Sequence, residues 1–359
     1  MTSEPTQSPL DIEDVRARVD TSVDEFLAAR GAQLAQISPN LNEVTSALQD
    51  FMKSGKRIRP IFCWWAWRGC GGANDDSALR AAASLEFIQA CALIHDDMMD
   101  KSDTRRGQPA VHRRFESLHN TSDWFGSAQA FGEASAILVG DLALAWADQA
   151  YYESGLDPER LSRGKPVYDN MRTEVVAGQY LDVLQQAQRS HDRAEILRVA
   201  QFKTAKYTIE RPLHLGAVWV DAPESTVSAL SDFGLPLGVA FQIRDDIMGV
   251  FGDPEQTGKP AGDDVREGKY TFLIDYAYAA NNPATNALLD RSLGNPDLTA
   301  EDVDEVRASI RETGALDRAE QEVEEHLTEA LTALDRADLD PQAAGVLAQL
   351  AQAAAHRAQ

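Results

Sequence analysis

Closely spaced aspartates end a long apolar segment of the sequence, and carboxylates at this spacing can bind metal ions. Residues 85–100 read LEFIQACALIHDDMMD, so that Asp96, Asp97 and Asp100 fall within about one helical turn. The three carboxylates share one helix face, where like charges repel each other. The rest of the helix is apolar on most sides, and such a helix is normally buried. Positive charge must therefore compensate the cluster.

A second acidic pair stands in the segment QIRDD at residues 242–246. Gln242 precedes Asp245 by three residues, so its amide and the carboxylate share a helix face. Two buried helices that both end in acidic clusters could face each other across a cavity and hold divalent ions. All-oxygen ligation without a His or Cys set favours Mg²⁺, which keeps waters and binds through carboxylates and substrate phosphates. His95 adjoins the first cluster, and we interpret it as a structural hydrogen-bonding group.

Basic side chains accompany both clusters in a chain that is otherwise acidic. They belong to four motifs: GKRIRP at 55–60, RRG at 105–107, KTAKYT at 203–208 and TGKPAGDDVREGK at 257–269. Guanidinium and ammonium groups bind phosphate oxygens, so carboxylates interleaved with these bases predict a Mg²⁺-dependent diphosphate site. The candidate bases are Lys56, Arg59, Arg105, Arg106, Lys203, Lys259 and Lys269. We interpret Arg57 and Lys206 as members of surface ion pairs.

Composition limits the kinds of partner that the protein can have. The chain has 359 residues, of which 43% are hydrophobic, enough to bury a large core. Its net charge of −23 argues against binding to nucleic acid or to an anionic membrane. The first ten residues lack the basic and apolar regions of a signal peptide, and no uninterrupted apolar run approaches a membrane span. We expect a soluble cytoplasmic protein in which Cys63, Cys70 and Cys91 are reduced and packed.

Helical periodicity covers almost the whole chain, and no run of alternating strand pattern is convincing. Turn-forming residues interrupt it at GCGGANDD (69–76) and at SGLDPERLSRGKP (154–166). We predict an all-α single domain, because the candidate residues are spread from 55 to 270 and neither half contains a complete set. The predicted helices are 11–36, 42–53, 76–100, 129–153, 168–186, 193–218, 225–250, 270–280, 300–335 and 341–358.

In their order and spacing, these motifs resemble those of the trans-isoprenyl diphosphate synthases, or polyprenyl synthetases. The resemblance runs from about residue 50 to 275 through GKRIRP, DDMMDKSDTRRGQPAVH, VVAGQYLD, KTAKYT and FQIRDDIMGVFGDPEQTGKPAGDDVREGK. It implies a helical bundle around a deep central cavity, formed by residues 11–359 after a flexible N-terminus at 1–10. It also implies a homodimer and a set of three Mg²⁺ ions in each active site.

The implied reaction is the head-to-tail condensation of isopentenyl diphosphate with an allylic diphosphate, by ionisation, condensation and elimination. Carried over by position, the Mg²⁺ ligands would be Asp96, Asp97, Asp100 and Asp245. The allylic diphosphate would be held by Arg105, Lys203 and Lys259, with Lys269 nearby, and isopentenyl diphosphate by Lys56, Arg59, Gln89 and Arg106. Thr204 and Gln242 would turn oxygen dipoles toward the developing carbocation. Gln179 and Asp182 would orient these groups.

Two positions depart from the pattern of the family. Gly249 stands where many members have a third aspartate in the second acidic motif. Metal ligation there would rest on Asp245, Asp246 and waters, so a weaker third metal site is expected. Gln89 stands where many members have histidine, and its amide can still donate to a phosphate oxygen.

The resemblance also bears on product length. In the family, bulky aromatics four or five residues before the first aspartate stop chain growth early. Those positions are Ala92 and Cys91 here, and helix geometry directs Ala92 toward the tunnel better than Cys91. Small side chains leave the tunnel open, so geranylgeranyl diphosphate is the expected product, with longer products if Ile88 does not close the tunnel.

Two other functions fit parts of the pattern. A class I terpene cyclase also ionises a diphosphate with Mg²⁺ at an aspartate-rich helix end. It has no use for a second diphosphate site, which GKRIRP and Arg106 indicate here. A catalytically silent subunit of a prenyl synthase could have lost acids or lysines, whereas only the Gly249 position is missing in this chain. Elongation, cyclisation or inactivity with isopentenyl diphosphate and a primer would separate the three.

Overall fold

The computed structural model describes residues 12–53, 55–253 and 262–356. Within these ranges the chain is helical apart from one two-stranded antiparallel hairpin, β1 Thr104–Arg105 and β2 Gln108–Pro109. The α-helices are α1 Val15–Ile37, α2 Asn42–Met52, α3 Ile58–Gly69, α4 Asp76–Met99, α5 Val111–Thr121, α6 Ala128–Tyr152, α7 Pro158–Gln188, α8 Arg193–Val199, α9 Arg211–Trp219, α10 Glu224–Phe251, α11 Asp263–Glu267, α12 Phe272–Ala279, α13 Pro283–Ser292, α14 Ala300–Glu312, α15 Ala315–Leu334 and α16 Pro341–Ala355. A 3₁₀ turn, Pro39–Leu41, precedes α2, and a π-helix, Ala200–Glu210, joins α8 to α9.

The predicted all-α fold is confirmed, and the errors concern particular segments. The helices α3, α5, α11 and α13 and the short hairpin were not predicted. The predicted break at 154–166 is wrong after its first residues, because α7 begins at Pro158. There Asp157 Oδ1 accepts a hydrogen bond from Glu159 N at 2.9 Å, so Asp and Pro start a helix instead of ending one. The predicted helix 300–335 is divided at Gly314, whose φ of 77° ends α14 and precedes α15.

The described chain forms two compact units. One contains the residues up to Trp64 together with Gly72–Arg163, and the other contains Trp65–Gly71 and the residues from Gly164 onward. In the first unit, α4 packs along α6, which also contacts α5. A Cβ at Gly140 of α6 would lie only 2.2 Å from His95 Nε2, so glycine lets the helices approach closely. His95 Nε2 donates to Ile137 O at 3.2 Å, which confirms its predicted structural role.

In the second unit α10 is the central helix. The π-helix, α9, α15 and α16 pack on it, and its side chains are buried on several faces. A Cβ at Gly238 would lie 2.3 Å from Ala205 Cα, so only glycine permits this contact between α10 and the π-helix. Arg244 anchors α10 to the C-terminal helices, since its Nε donates to Ala355 O and one Nη to Glu320 Oε1, both at 2.7 Å.

Among the residues that the structure describes, three helices reach the length and hydropathy of a membrane span, namely α4, α6 and α10. The expectation concerned uninterrupted apolar runs, and charged side chains such as Glu86 in α4 and Asp141 in α6 interrupt these helices. Their most apolar windows are 72%, 39% and 56% buried within the protein, so α6 is the most exposed of the three. The acidic clusters within α4 and α10 would be costly in hydrocarbon. The absence of membrane insertion stays a prediction.

Candidate functional site

The aspartates at the end of α4 are compensated by the arginine that follows them on β1. Asp97 is fully buried, and Arg105 Nε donates to its Oδ1 at 2.8 Å, with a second bond from an Nη. The same guanidinium lies 3.7 Å from Asp96 Oδ2. Arg105 is therefore the positive partner that the acidic stripe requires, and it fixes Asp97 while Asp96 keeps a looser contact.

The hairpin that follows α4 places the second arginine of RRG. Arg106 and Gly107 occupy its two-residue turn with φ of 54° and 72°, the left-handed pair typical of tight hairpins. The Arg106 guanidinium lies 5.9 Å from the centre of the Phe51 ring and within 3.4 Å of Phe51 O. Burial lowers the pKa of Arg106, and the charges of three other arginines lower it further against the opposing effect of Glu86. Those arginines are Arg105, Arg57 and Arg59.

These four arginines form the arginine cluster, which comprises Arg57, Arg59, Arg105 and Arg106. It lies in an acidic protein, and the last two residues line a cavity of 880 Å³, whose other charged side chains are Lys53, Arg113, Arg114 and one carboxylate, Asp50. The charges of the other three arginines act on Arg106, and guanidinium groups bind phosphate oxygens, so the cluster suits an anion with several oxygens. A diphosphate has that chemistry.

Arg57 has a different position from the one expected. It is not on the surface, because only 4% of its side chain is exposed, and it bonds Glu86 Oε2 and Asp20 Oδ1, each at 2.7 Å. Burial lowers its pKa, but the two carboxylates outweigh this effect, so the pKa is raised. Its φ of 51° is unusual for a residue with a side chain. Arg57 thus anchors the start of α3, with exposed Lys56 just before it and half-buried Arg59 in the first turn of that helix.

The π-helix of the second unit presents Lys203 and Thr204. Lys203 Nζ donates to Asp182 Oδ2 of α7 at 2.7 Å. A Cβ at Gly178 would lie 2.3 Å from Lys203 N, so α7 and the π-helix touch through backbone. Isolated π-geometry is frequent at functional sites, because it turns side chains away from the regular helical face. That Asp182 orients groups of the active site stays a prediction, and its bond to Lys203 is compatible with that role.

Thr204 and Gln242 begin a chain of hydrogen bonds that ends at the second acidic pair. Thr204 Oγ1 donates to Gln242 Oε1, and Gln242 Nε2 donates to Asp246 Oδ1 at 2.7 Å. The other oxygen of Asp246 accepts from Phe272 N at 3.2 Å. Burial raises the pKa of Asp246 well above its usual value, and nearby Asp264 and Asp245 add to the effect. Both oxygens of Asp246 are thus engaged by hydrogen bonds inside the protein, while Asp245 is half-exposed.

The remaining candidate residues differ in burial and in whether they form ion pairs. Lys269 Nζ pairs with Glu267 Oε2 at 2.6 Å, and Lys206 pairs with Glu210 at 3.1 Å on a mostly buried side chain. The ion pair predicted for Lys206 is confirmed, although it is not on the surface. Gln89 and Gln179 are half-buried. Lys259 lies outside the described residues.

The chain-length candidates lie on α4. Ile88 and Cys91 are buried, and Ala92 is half-buried. Cys91 Sγ lies 3.7 Å from His95 Nδ1, and burial raises the pKa of the Cys91 thiol to about 11. This contact directs Cys91 along its own helix, which is consistent with the greater weight given to Ala92. The three cysteines form no disulfide in the described part of the chain, and Cys63 is buried as predicted.

Metal binding would require oxygens besides those of the protein. Across residues 12–53, 55–253 and 262–356, no group of three or more His, Cys, Asp and Glu side chains is close enough to hold a metal ion. Mg²⁺ commonly binds through one or two carboxylates, substrate phosphates and water, so the aspartates of α4 and α10 fit that donor set. That the two acidic clusters face each other across one cavity stays a prediction.

Comparison with known proteins gives consistent results. The polyprenyl synthetase family model matches residues 41–310. The geranylfarnesyl diphosphate synthase of Aeropyrum pernix is 33% identical over 79% of this chain and 83% of its own length. The geranylgeranyl diphosphate synthase of Methanosarcina mazei is 29% identical over 90% of each chain. A crystal structure of geranylgeranyl pyrophosphate synthase from Corynebacterium glutamicum, complexed with isoprenyl diphosphate and magnesium, has a TM-score of 0.94 and 39% identity, covering 97% of this chain and all of that one.

Proposed function

The chain belongs to the polyprenyl synthetase family and is a prenyltransferase that makes trans-prenyl diphosphates, and from that premise we propose geranylgeranyl diphosphate as its product. The substrates are isopentenyl diphosphate and an allylic primer of five, ten or fifteen carbons. Several relatives are named geranylgeranyl diphosphate synthases, including those of Methanosarcina mazei and Saccharolobus solfataricus. The small side chains of Ala92 and Cys91 support a product of at least this length.

The observation that carries this proposal is the arginine cluster beside the aspartates of α4. A prenyl synthase must hold two diphosphates, whereas a class I cyclase holds one. We assign isopentenyl diphosphate to Lys56, Arg59, Gln89 and Arg106. In support of this assignment, Arg106 lies in the hairpin turn, and Arg59 lies in the first turn of α3, directly after the buried Arg57. The carboxylates Asp96 and Asp100 are assigned to the metal ions of the allylic diphosphate.

Mg²⁺, of which we propose three ions, would be held by Asp96, Asp100 and Asp245 and would supply positive charge to stabilise a departing diphosphate. Side chains of the protein contribute the other interactions with the leaving group and the allylic cation. Arg105, Lys203, Lys259 and Lys269 add positive charge around the leaving group, and Asp182 holds Lys203 in place. Thr204 and Gln242 present oxygen dipoles, which stabilise an allylic cation without trapping it. The departed diphosphate is itself a base for the proton lost in the last step.

An assay with defined substrates tests the proposal. The purified protein is incubated with Mg²⁺, isopentenyl diphosphate and either dimethylallyl or farnesyl diphosphate, and the dephosphorylated products are separated by chromatography. A linear C20 alcohol supports the proposed function. A cyclised hydrocarbon would indicate a cyclase, and inactivity in the presence of folded protein would indicate a silent subunit. Arg106→Gln should raise the KM for isopentenyl diphosphate more than that for the primer.

Product length is tested on α4. Replacing Ala92 or Cys91 by Phe should shorten the product to C15 or C10, because a ring would block growth of the chain. The Ala92 variant is expected to have the larger effect, since Cys91 points along the helix toward His95. Chromatography of the products gives the result directly. Unchanged product length in both variants would contradict this assignment.

We also propose that the protein is a cytoplasmic homodimer. The exposed side of α6 presents Ile137 and Leu138, which are 43% and 68% exposed, and the preceding loop presents Trp124 and fully exposed Phe125. Apolar side chains grouped in this way mark an interaction surface. Sedimentation of the wild type should give twice the mass of the 39.3 kDa chain. Leu138→Glu should yield a monomer, whereas Thr121→Glu on nearby α5 should not.

A further inference from the structure

Gly249 lies on the face of α10 that carries the second acidic pair. It follows Asp245 by four residues and Asp246 by three, so the three positions share one helix face. A residue with a side chain at 249 would therefore project beside the two aspartates. Because glycine has no side chain, position 249 provides no metal ligand beside them.

The side chain of Asp264 occupies the space that glycine leaves. A Cβ built on Gly249 would lie 1.9 Å from Asp264 Oδ2, 2.3 Å from its Cγ and 2.8 Å from its Oδ1. The three atoms nearest to that position thus all belong to one carboxylate. Asp264 comes from α11, which follows α10 along the chain, and its charge acts on Asp246. A carboxylate is therefore present beside the acidic pair, although position 249 does not provide it.

Asp264 is held there by the turn that contains it. Gly262 and Gly268 bracket α11 with φ of 72° and 77°, conformations that favour glycine. Lys269 N donates to Asp264 O at 3.0 Å, and Gly294 N donates to Val265 O at 2.9 Å. Val265 is 1% exposed. The backbone of α11 is thus tied to the second unit on both sides of Asp264, and this fixes where the carboxylate can reach.

We propose that Asp264 supplies to the metal site at Asp245 the carboxylate that Gly249 cannot. The inference rests on the proposed function, since it assumes that Mg²⁺ and diphosphate bind near Asp245. Mg²⁺ needs only one or two protein carboxylates when phosphate and water complete its shell. Asp264 acts as a direct ligand or through a bound water, and in both cases its loss weakens the binding of the metal ion. The weaker third metal site expected from Gly249 is therefore restored from a different helix.

Metal binding, measured apart from catalysis, tests this assignment. Mn²⁺ is titrated into the full-length protein with inorganic diphosphate, and electron paramagnetic resonance of the unbound ion gives the number of sites and their Kd values. Asp264→Ala should raise the Kd of the weakest site by about tenfold or more. Gly249→Ala should have a similar effect, because its methyl group displaces the Asp264 carboxylate. The obstructing atoms are the end of a side chain, so the helix itself can remain in place.

Relocating the carboxylate provides the decisive variant. The double variant Gly249→Asp/Asp264→Ala should return the Kd to within about threefold of the wild type. Asp263→Ala is the matched control, since it removes the neighbouring carboxylate, which is not among the atoms nearest to position 249. It should leave Mn²⁺ binding unchanged. Circular dichroism confirms that each variant has the helical content of the wild type before titration.

The outcomes separate this inference from the proposed function. If the wild type makes prenyl diphosphates but Asp264→Ala binds Mn²⁺ as Asp263→Ala does, the role of Asp264 is wrong and the function stands. If the double variant binds as weakly as Asp264→Ala, the carboxylate does not act at position 249 and the inference is also wrong. A wild type that neither binds Mn²⁺ with diphosphate nor makes product contradicts both.

Discussion

The acidic ends of α4 and α10 each contain a buried aspartate, and the two carboxylates are stabilised in different ways. At α4, buried Asp97 is paired with the Arg105 guanidinium, whose positive charge compensates the carboxylate. At α10, buried Asp246 accepts from two neutral donors, the Gln242 amide and Phe272 N, and burial raises its pKa. A carboxyl group with a raised pKa tends toward its neutral form. The first cluster is thus balanced by a cation, whereas the buried aspartate of the second is bound by neutral donors.

The arginine in each motif shows the same contrast. Arg105 comes after the first cluster and turns back onto it through the hairpin. Arg244 immediately precedes Asp245, yet its guanidinium is turned toward Glu320 and Ala355 O of the C-terminal helices. The acidic C-terminal helices therefore hold α10 in place and keep this arginine away from the acidic pair. Similar motifs in sequence hence have different local charge balances.

The largest expected effect follows from breaking the ion pair at α4. Arg105→Leu should lower the free energy of unfolding by about 3–5 kcal/mol, because it leaves the buried Asp97 carboxylate without its cation. Adding Asp97→Asn should recover much of this loss, since an amide carries no charge. Urea denaturation followed by circular dichroism measures both. Arg113→Leu is the control, because its pairs with Asp103 and Glu116 are both partly exposed to solvent and should contribute at most about 1 kcal/mol.

If Arg105→Leu lowers the free energy of unfolding no more than Arg113→Leu does, the proposed charge compensation at α4 is wrong. Asp97 would then be stabilised mainly by other contacts, and the acidic end of α4 would resemble that of α10. An equal loss in Arg105→Leu and in the double variant would show that the arginine acts through its packing instead of its charge.

A neutral buried group in the second unit gives a pH test. His214 Nδ1 accepts from an Arg211 Nη at 3.2 Å, so Nε2 carries the proton and donates to Ser231 Oγ at 2.8 Å. Burial lowers the pKa of His214 to about 4, with Glu210 opposing and Arg211 adding to the effect. Because protonation favours the unfolded chain, this contribution is fully present above pH 6.5 and is lost as the pH falls toward 4.

The expected loss is about 2–3 kcal/mol over that interval, since one pKa unit corresponds to roughly 1.4 kcal/mol. Urea midpoints measured from pH 7.5 to 4.5 in the wild type and His214→Gln give the result. The variant should show a shallower decline below pH 6.5. Parallel curves would mean that His214 is already charged or that it exchanges its proton without cost, and the second unit would then not favour neutral groups.

The sequence allowed the helical fold and the charged residues of the site to be predicted. It did not allow the partners of those charged residues to be predicted. The 3.6-residue period of α4 and α10 is local, so it predicted both helices and their acidic faces. Arg57 was placed on the surface because its partners, Asp20 and Glu86, lie 37 and 29 residues away. The role of Asp264 depends on space left by Gly249, and a missing side chain gives no local signal. The doubled aspartate in GDDVREGK was the one available indication.

The smallest expected effects come from the hydrogen-bond chain that ends at Asp246. Gln242→Leu should lower the free energy of unfolding by about 1–3 kcal/mol, because Asp246 Oδ1 loses its donor in a buried position. Thr204→Val should cost only about 1 kcal/mol, since the Gln242 amide still donates to Asp246. The order of the two variants in urea denaturation therefore tests whether the amide serves the acidic pair. If Thr204→Val costs more, the chain of bonds is organised around the π-helix, and the neutral donors at α10 do not replace the cation found at α4.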